Sequence, residues 1–496
     1  MQPIDLQKLL AQFAYNPQEP LLFNSGFFLF TFVILLGIYP FIYQKKYTRT
    51  FVFTAFSFYF AYKASGVYAC FLGISAIIDF TISNLLYTTK QNKYAEADSK
   101  VLLIISLVLN LGLLAYFKYT NFFISIVNDV SGGDIPLLKM ALPVAISFYT
   151  FENISYTIDV YRGHFKPIKS FMDYCFFLTF FPKLMMGPIV RAADFIPQIY
   201  RPIKITPEMF NKGLLLILGG LFKKVVISDY LTVNYVDIIF DAPASHTGIE
   251  CLLAIYCYAM VIYCDFSGYS DMAIGMAKWF GFEINPNFNA PYQSGSITEF
   301  WRKWHMSLSA WLKDYLYISL GGNRGSETKR NFNLFATMLL GGLWHGAKWN
   351  FIIWGMLHGI ALGVDKAIAT IFGKDIYTKT KIHKIISVLL TFHFVCFCWV
   401  FFKSETLSNA WIMLTQIVTN FHIQGINILL EAYYPVIGIM ALGYCLHAIP
   451  MSVDTKIQQY IQPLPLLLKT LIAFIVLYIV IQSKQSEPIM PIYLQF

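Results

Sequence analysis

Residues 101–117 read Val-Leu-Leu-Ile-Ile-Ser-Leu-Val-Leu-Asn-Leu-Gly-Leu-Leu-Ala-Tyr-Phe and contain no charged side chain. An apolar run of this kind predicts a helix that crosses a lipid bilayer, which takes about 20 residues. Several other runs share this character, and the strongest spanning candidates are residues 26–43, 67–88, 101–123, 249–266, 385–402 and 465–482. Shorter or interrupted candidates are residues 51–64, 140–157, 172–187, 213–233, 332–345, 349–365 and 434–449.

The composition of the whole chain supports the same class. Of its 496 residues, 57% are hydrophobic and 13% are charged, against about 25% charged in soluble domains. No water-soluble fold could bury so much apolar surface, and no polar linker divides the chain. The sequence therefore predicts an all-α, polytopic integral membrane protein with about ten to twelve transmembrane helices. We expect residues 1–496 to form a single membrane domain, surrounded by membrane lipid.

The basic residues are concentrated in short loops between the apolar runs. Lys45, Lys46 and Arg49 follow the first run, and the later stretch from Lys374 to Lys384 is also basic. Positive loops lie on the cytoplasmic side, so the N-terminus is predicted to be extracytoplasmic. The same loops account for the net charge of +9. No basic stripe with stacking aromatics stands clear of the apolar runs, so a nucleic-acid partner is not expected.

One segment, residues 285–333, mixes aromatic and charged residues and does not resemble a span. Its charges would each cost about 2.5–3.5 kcal/mol at the bilayer centre. Ser296 and Glu299 have the spacing of a helix cap. We therefore expect an amphipathic or re-entrant helix pair at the interface, which carries His305 inward.

Two histidines are the principal candidates for chemistry. His345 lies in Gly341-Gly-Leu-Trp-His-Gly346, between apolar runs, and His305 lies in Phe300-Trp-Arg-Lys-Trp-His-Met-Ser307. A histidine at membrane depth is costly and frequently functional. The alternatives are a structural histidine bonded to a carbonyl for His345 and an ordinary interfacial side chain for His305.

Three further polar residues in or near apolar runs have two interpretations each. His358 lies thirteen residues after His345, and it is either a supporting residue of the site or part of the core. Asp265 and Asp271 flank Phe-Ser-Gly-Tyr-Ser and would need imidazole or lysine partners if buried. A helix cap or a structural ion pair is the alternative for both carboxylates.

Other kinds of chemistry lack support in the sequence. The two histidines have no third ligand at metal-site spacing, so no metal is predicted. There is no Gly-x-Ser-x-Gly elbow, phosphate-binding loop or dinucleotide fingerprint.

In sequence order, the motifs resemble those of the membrane-bound O-acyltransferase family. Within the family, the motifs most resemble those of the bacterial transferases that O-acetylate alginate, other cell-surface polysaccharides or peptidoglycan. The motifs that carry this resemblance include Asn285-Pro-Asn-Phe-Asn-Ala-Pro-Tyr292 and both histidine motifs. The others are residues 142–156, 159–163, 180–191, 265–275, 317–323 and 354–359. The resemblance extends over residues 140–403, which we expect to form the catalytic core.

The resemblance implies a ring of helices around a central tunnel, with His345 as the catalytic histidine and His305 as its polar partner. We expect His345 to face a water-accessible passage that opens toward both compartments. The candidate substrate-binding residues lie around these motifs and are Trp304, Trp344, Asp265, Asp271, Arg302, Asn350 and His358.

The implied reaction is acetyl transfer across the bacterial inner membrane. Acetyl-CoA or another acetyl thioester would be the donor substrate, with no bound cofactor. A surface polysaccharide would be the acceptor, and an extracytoplasmic transferase of the serine-hydrolase type is the implied partner. Three alternatives remain open: D-alanyl transfer to teichoic-acid-type polymers, a glycan transporter, and a non-catalytic scaffold.

Overall fold

The computed structural model describes residues 11–17, 19–91, 96–140, 142–449, 451–485 and 489–494. All regular secondary structure in these ranges is helical, which confirms the predicted all-α class. The chain divides into two compact units, and the α-helices are numbered below from the first one described.

The first unit comprises Met1–Gly213 and Ala273–Asn285. Its helices are α1 (Gly26–Ile42), α2 (Lys46–Ser65), α3 (Cys70–Gln91), α4 (Glu96–Ser131), α5 (Ile146–Arg162), α6 (Phe171–Thr179), α7 (Phe181–Leu184), α8 (Ala192–Tyr200) and the beginning of α9 (Pro207–Leu221).

The second unit comprises Leu214–Met272 and Pro286–Phe496. Two π-helical segments, Phe222–Asp229 and Thr232–Val236, follow α9. The next helices are α10 (Asp237–Asp241), most of α11 (Gly248–Trp279), α12 (Ile297–Lys303), α13 (Met306–Trp311), α14 (Glu327–His345) and α15 (Trp349–Phe372). The last are α16 (Lys381–Lys403), α17 (Leu407–Thr419), α18 (Ile426–Ala432), α19 (Tyr434–His447), α20 (Met451–Ile461) and α21 (Leu466–Ser483).

Six helical stretches of the described residues are long and apolar enough to cross a membrane, or seven if the bent pair α18 and α19 is one span. They are Lys46–Gln91, Glu96–Ser131, Gly248–Trp279, Trp349–Phe372, Lys381–Lys403 and Leu466–Ser483. The predicted number of ten to twelve crossings is larger because it also included shorter or interrupted segments. Residues 172–187, for example, are not one helix, because α6 ends at Thr179 and Pro182 follows in a four-residue turn.

The aromatic and charged segment forms the short helices α12 and α13, followed by a π-helical turn at Leu312–Tyr317. Ser296 caps α12 by accepting a hydrogen bond from the Glu299 N–H at 3.2 Å. Phe300, Trp304 and His305 are buried within the second unit. The segment therefore carries His305 into the protein, as predicted.

Helices α14 and α15 pack closely because glycines face each other. A Cβ atom at Gly342 would lie 2.3 Å from the Phe351 carbonyl oxygen and 3.0 Å from the Gly355 Cα atom. A Cβ atom at Gly355 would lie 2.6 Å from the Met338 carbonyl oxygen. Small residues allow such close backbone approach between membrane helices. This packing fixes the position of His345, one turn after Gly342.

The Gly342→Ala variant should lose stability because the added methyl group forces the two helices apart. Overpacking of this kind costs about 1–3 kcal/mol. Thermal unfolding of the purified protein in detergent measures the loss. The control is Gly363→Ala on α15, where a Cβ atom meets nothing within 4 Å. An equal, small effect of both substitutions would contradict the packing argument.

Candidate active site

His345 is the last residue of α14 and lies in a ring of aromatic side chains. Gly346 continues in an extended conformation, and α15 begins at Trp349. His345 is buried, with 3% of the residue exposed. Its ring centroid lies 5.0 Å from those of Trp344 and Trp354 and 5.3 Å from those of Phe402 and Tyr493.

His305 lies in the same aromatic cluster. Its ring is fully buried, 4.5 Å from Phe266, 6.1 Å from Tyr493 and 6.2 Å from Trp344, measured between centroids. Trp344 and Tyr493 therefore contact both imidazoles. We call His305, His345, Trp344, Tyr493 and Phe266 the two-histidine cluster. All five belong to the second unit.

The backbone and the surroundings of His305 are unusual for a histidine. Its φ of 41° is in the left-handed region, and it is the N-cap residue of α13. Strained backbone of this kind is concentrated at functional sites. Burial lowers the pKa of the His305 imidazole to about 3, because the charged form loses its hydration. The ring is therefore neutral at physiological pH.

A buried charge cluster lies beside the two histidines. Lys224 Nζ is 2.7 Å from Asp229 Oδ1 and 2.6 Å from Asp265 Oδ1. The other oxygen of Asp265 accepts a hydrogen bond from the Ile492 N–H at 2.8 Å. Asp265 therefore connects a lysine to the segment at residues 489–494, which carries Tyr493.

The remaining substrate-binding candidates differ in their burial and in their partners. Asp271 pairs with Lys223 at 2.7 Å, and both side chains are 25% exposed. Arg302 is exposed and is not part of the cluster. Trp304 is buried, with its ring 5.1 Å from that of Trp399.

His358 and Asn350 both lie on α15 and are buried. The Trp301 Nε1–H donates a hydrogen bond to His358 Nδ1 at 3.3 Å, and the His358 ring is 4.8 Å from that of Trp354. Through Trp354, His358 is one side chain away from His345. Asn350 Nδ2 donates to the Ser404 carbonyl at 2.8 Å.

A cavity of about 240 Å³ extends toward His345. Its charged lining residues are exposed or half-buried, and they are Asp237, Asp241, Lys348, Lys403 and Glu405. Its apolar lining includes Phe351, Phe402 and Ile492, which are buried. Because the Phe402 ring contacts that of His345, one side chain separates the cavity from the imidazole.

Among the residues that the structure describes, the expected open passage does not reach the His345 imidazole, because the residue is 3% exposed. The rings of Trp354, Phe402 and Tyr493 pack around it. The physical reason is close packing, since protein interiors retain few voids. One of these side chains must move before a thioester can reach the ring.

Three residues of the site are not predicted from the sequence: Tyr493, Lys224 and Asn287, whose Oδ1 lies 3.2 Å from His305 Nδ1. Tyr493 and Lys224 are far from both histidine motifs in sequence, and nothing local indicates their positions. Asn287 lies inside one of the quoted motifs, so a closer interpretation of that motif could have found it.

The chain is similar to known acyltransferases. Residues 167–408 match the family model described as MBOAT, membrane-bound O-acyltransferase family. The probable alginate O-acetylase AlgI of Pseudomonas aeruginosa is 39% identical over 398 residues, which cover 79% of this chain and 74% of that protein. The peptidoglycan O-acetyltransferase of Helicobacter pylori is 36% identical over 428 residues, which cover 79% and 78%.

A more distant similarity links the chain to another activity. The teichoic acid D-alanyltransferase of Bacillus subtilis is 27% identical over 274 residues, which cover 53% of this chain and 69% of that protein. The lower identity and shorter match make it the weaker relative.

Proposed function

The chain belongs to the membrane-bound O-acyltransferase family, and we propose that it passes an acetyl group from a cytoplasmic thioester across the membrane to acetylate a cell-surface polysaccharide. That it is a multi-pass membrane acyltransferase follows from its family and its apolar helices. The acetyl donor, the acceptor, the partner and the roles of individual residues belong to the proposal.

The observation that carries the proposal is the convergence of two buried imidazoles on one cluster. A neutral imidazole is a suitable general base, because it accepts a proton at physiological pH. We assign this role to His345: it removes the proton from an incoming hydroxyl as the oxygen attacks the thioester carbonyl. The C–O bond forms, the C–S bond breaks, and the proton passes to the departing thiolate. His305 would hold the attacking group from the other side.

The donor is proposed to be acetyl-CoA, which would enter from the cytoplasmic side. Basic loops on that side could attract its phosphate groups. We propose that the basic residues Lys45, Lys46 and Arg49 after the first span, like those of Lys374–Lys384, are cytoplasmic, which places the N-terminus outside the cytoplasm. The membrane is proposed to be the bacterial inner membrane. No cofactor is needed for this reaction, because the thioester itself is the activated group.

The cavity is proposed to lie on the acceptor side. Helix α15 has 24 residues, about 36 Å at 1.5 Å per residue, and its C-terminal end adjoins Lys374–Lys384. Lys348 and Asn350, at its other end, would then be extracytoplasmic, and both line the cavity. An extracytoplasmic partner of the serine-hydrolase type could receive the acetyl group there and pass it to the polysaccharide.

The polysaccharide is proposed to be an alginate-like exopolysaccharide or peptidoglycan. Two relatives, 39% and 36% identical to the chain, are named probable alginate O-acetylase and peptidoglycan O-acetyltransferase. D-Alanyl transfer is the alternative, because the same histidine chemistry would serve it. Trp304, Trp344, Asp265, Asp271, Arg302, Asn350 and His358 remain predictions as substrate-binding residues.

A deletion strain should lose ester-linked acetyl groups from its surface polymers while it still exports them. Mass spectrometry of mild-alkali-released groups from exopolysaccharide and peptidoglycan measures this loss. The wild-type gene restores the esters. Loss of ester-linked D-alanine in place of acetate would favour the D-alanyl alternative. Loss of the polymer itself would contradict an enzyme and indicate a transporter.

A further inference from the structure

Asn287 connects the loop at residues 287–289 to the N-terminus of α13. Its side-chain Oδ1 accepts hydrogen bonds from the Ser307 N–H at 3.1 Å and from Ser307 Oγ at 2.9 Å. Its side-chain Nδ2 donates to Ser270 Oγ at 3.3 Å, and its carbonyl accepts from the Met306 N–H at 2.9 Å. Asn287 is buried. Its side chain is therefore held in one orientation.

That orientation determines the protonation of His305. The Ser307 backbone N–H can only donate, so the Asn287 atom that faces it must be the oxygen and not the amide nitrogen. The same oxygen lies 3.2 Å from His305 Nδ1. Two acceptors at this distance would repel each other. His305 Nδ1 must therefore carry the hydrogen and donate it to Asn287.

In the neutral His305 ring, the second nitrogen, Nε2, then carries a lone pair and no hydrogen. His305 Nε2 is buried and has no hydrogen-bond partner among the residues that the structure describes. A buried polar atom without a partner is unfavourable, so such atoms in native proteins require an explanation. The ring that carries it lies beside Trp344 and Tyr493 in the two-histidine cluster.

We infer that Asn287 is a positioning residue that fixes His305 as a hydrogen-bond acceptor, with Nε2 accepting a hydrogen bond from a neighbouring group of the acceptor substrate and holding it in place while His345 removes the proton of the attacking hydroxyl. This inference rests on the proposed acetyl transfer. It excludes a role for neutral His305 as a donor to the developing oxyanion, because Nε2 has no hydrogen to donate. Asn287 acts through His305 and contacts no substrate.

An amide partner also keeps the ring neutral. A carboxylate at the same distance would stabilise the imidazolium, whereas an amide carries no charge. The other titratable groups around His305 do not replace that charge. Tyr493 remains protonated because burial raises the pKa of its phenol, and Asp265 is already paired with Lys224. Three other titratable groups lie nearby. His345 is on the other side of Trp344, Arg302 is exposed, and Lys303 forms a salt bridge with Glu299 at 2.7 Å.

The Asn287→Asp variant tests the inference through a pH profile. Aspartate accepts from Ser307 and caps a helix as well as asparagine does, so a purely structural role predicts an unchanged profile. An added charge beside the ring raises its pKa by about 1–3 units. The acidic limb of kcat for acetyl transfer by the purified full-length protein in vesicles should therefore move upward by about 1–3 pH units. Activity should be regained above that limb, at pH 7 and higher, where the ring is again neutral.

The results separate the inference from the function on which it rests. An active wild type with an unchanged profile in Asn287→Asp overturns the role of Asn287. A wild type that transfers no acetyl group overturns the proposed function and this inference with it.

The His305→Asn variant decides the matter if Asn287→Asp does not fold. Asparagine tolerates positive φ and can keep a donor toward Asn287, but it has no atom at the position of Nε2. It should fold and lose about 10²-fold in kcat, because the acceptor is no longer held in the attacking position. Activity within a few-fold of the wild type would overturn the inference.

Discussion

The His345→Gln variant is expected to lose acetyl transfer by about 10²–10⁴-fold, the usual contribution of a positioned general base. Glutamine is close in size to histidine, so the aromatic side chains of Trp344, Trp354 and Phe402 can still pack around it. Its amide cannot accept a proton at physiological pH. Transfer from a labelled acetyl thioester to a hydroxyl acceptor measures the loss in membranes that contain equal amounts of each protein.

The matched control is His164→Gln, because the side chain of His164 is 69% exposed and belongs to the first unit. This variant should keep wild-type activity. Normal surface acetylation by His345→Gln in a deletion strain would show that His345 is structural. Restored acetylation by an inactive variant would favour the scaffold alternative.

The second large effect concerns stability, and we expect Lys224→Met to lower it by about 3–5 kcal/mol. Removal of one partner from a buried ion pair leaves a charge without compensation. Here Lys224 is the shared partner of two carboxylates, and the side chains of Lys224, Asp229 and Asp265 are 3%, 6% and 1% exposed. Thermal unfolding in detergent should show the loss as a clearly lower midpoint.

The neighbouring lysine provides the control for this experiment. Lys223 pairs with Asp271 at 2.7 Å, but both side chains are 25% exposed. A partly exposed pair loses less on removal of one partner than a fully buried one, and Lys223 has a single carboxylate partner, so Lys223→Met should cost clearly less than Lys224→Met. Equal midpoints for the two variants would show that Asp229 and Asp265 do not depend on the lysine charge.

The Lys224→Met variant should also affect the site. Asp265 holds the backbone of Ile492, and the next residue, Tyr493, contacts both histidines. Without its lysine, Asp265 will hold residues 489–494 less firmly. Protease protection of that segment, compared between the two lysine variants, measures this effect.

The sequence alone determined the class of the protein and its principal candidates for chemistry. Hydrophobic runs predicted an all-α membrane protein, because the hydrocarbon layer requires about 20 apolar residues per crossing whatever the tertiary contacts. The ordered motifs, which include those of His305 and His345, indicated the family without any knowledge of the geometry. Both are local properties of the chain, so they can be read without a fold.

The tertiary structure decided which groups meet. Nothing near the histidine motifs predicts that Tyr493 contacts both rings, or that Lys224 pairs with Asp265. The protonation of His305 also depends on an asparagine eighteen residues earlier, whose orientation is set by a backbone N–H. The burial of His345 is likewise a result of packing. Such contacts join residues distant in sequence, and their energies depend on distance and burial, which only the folded chain defines.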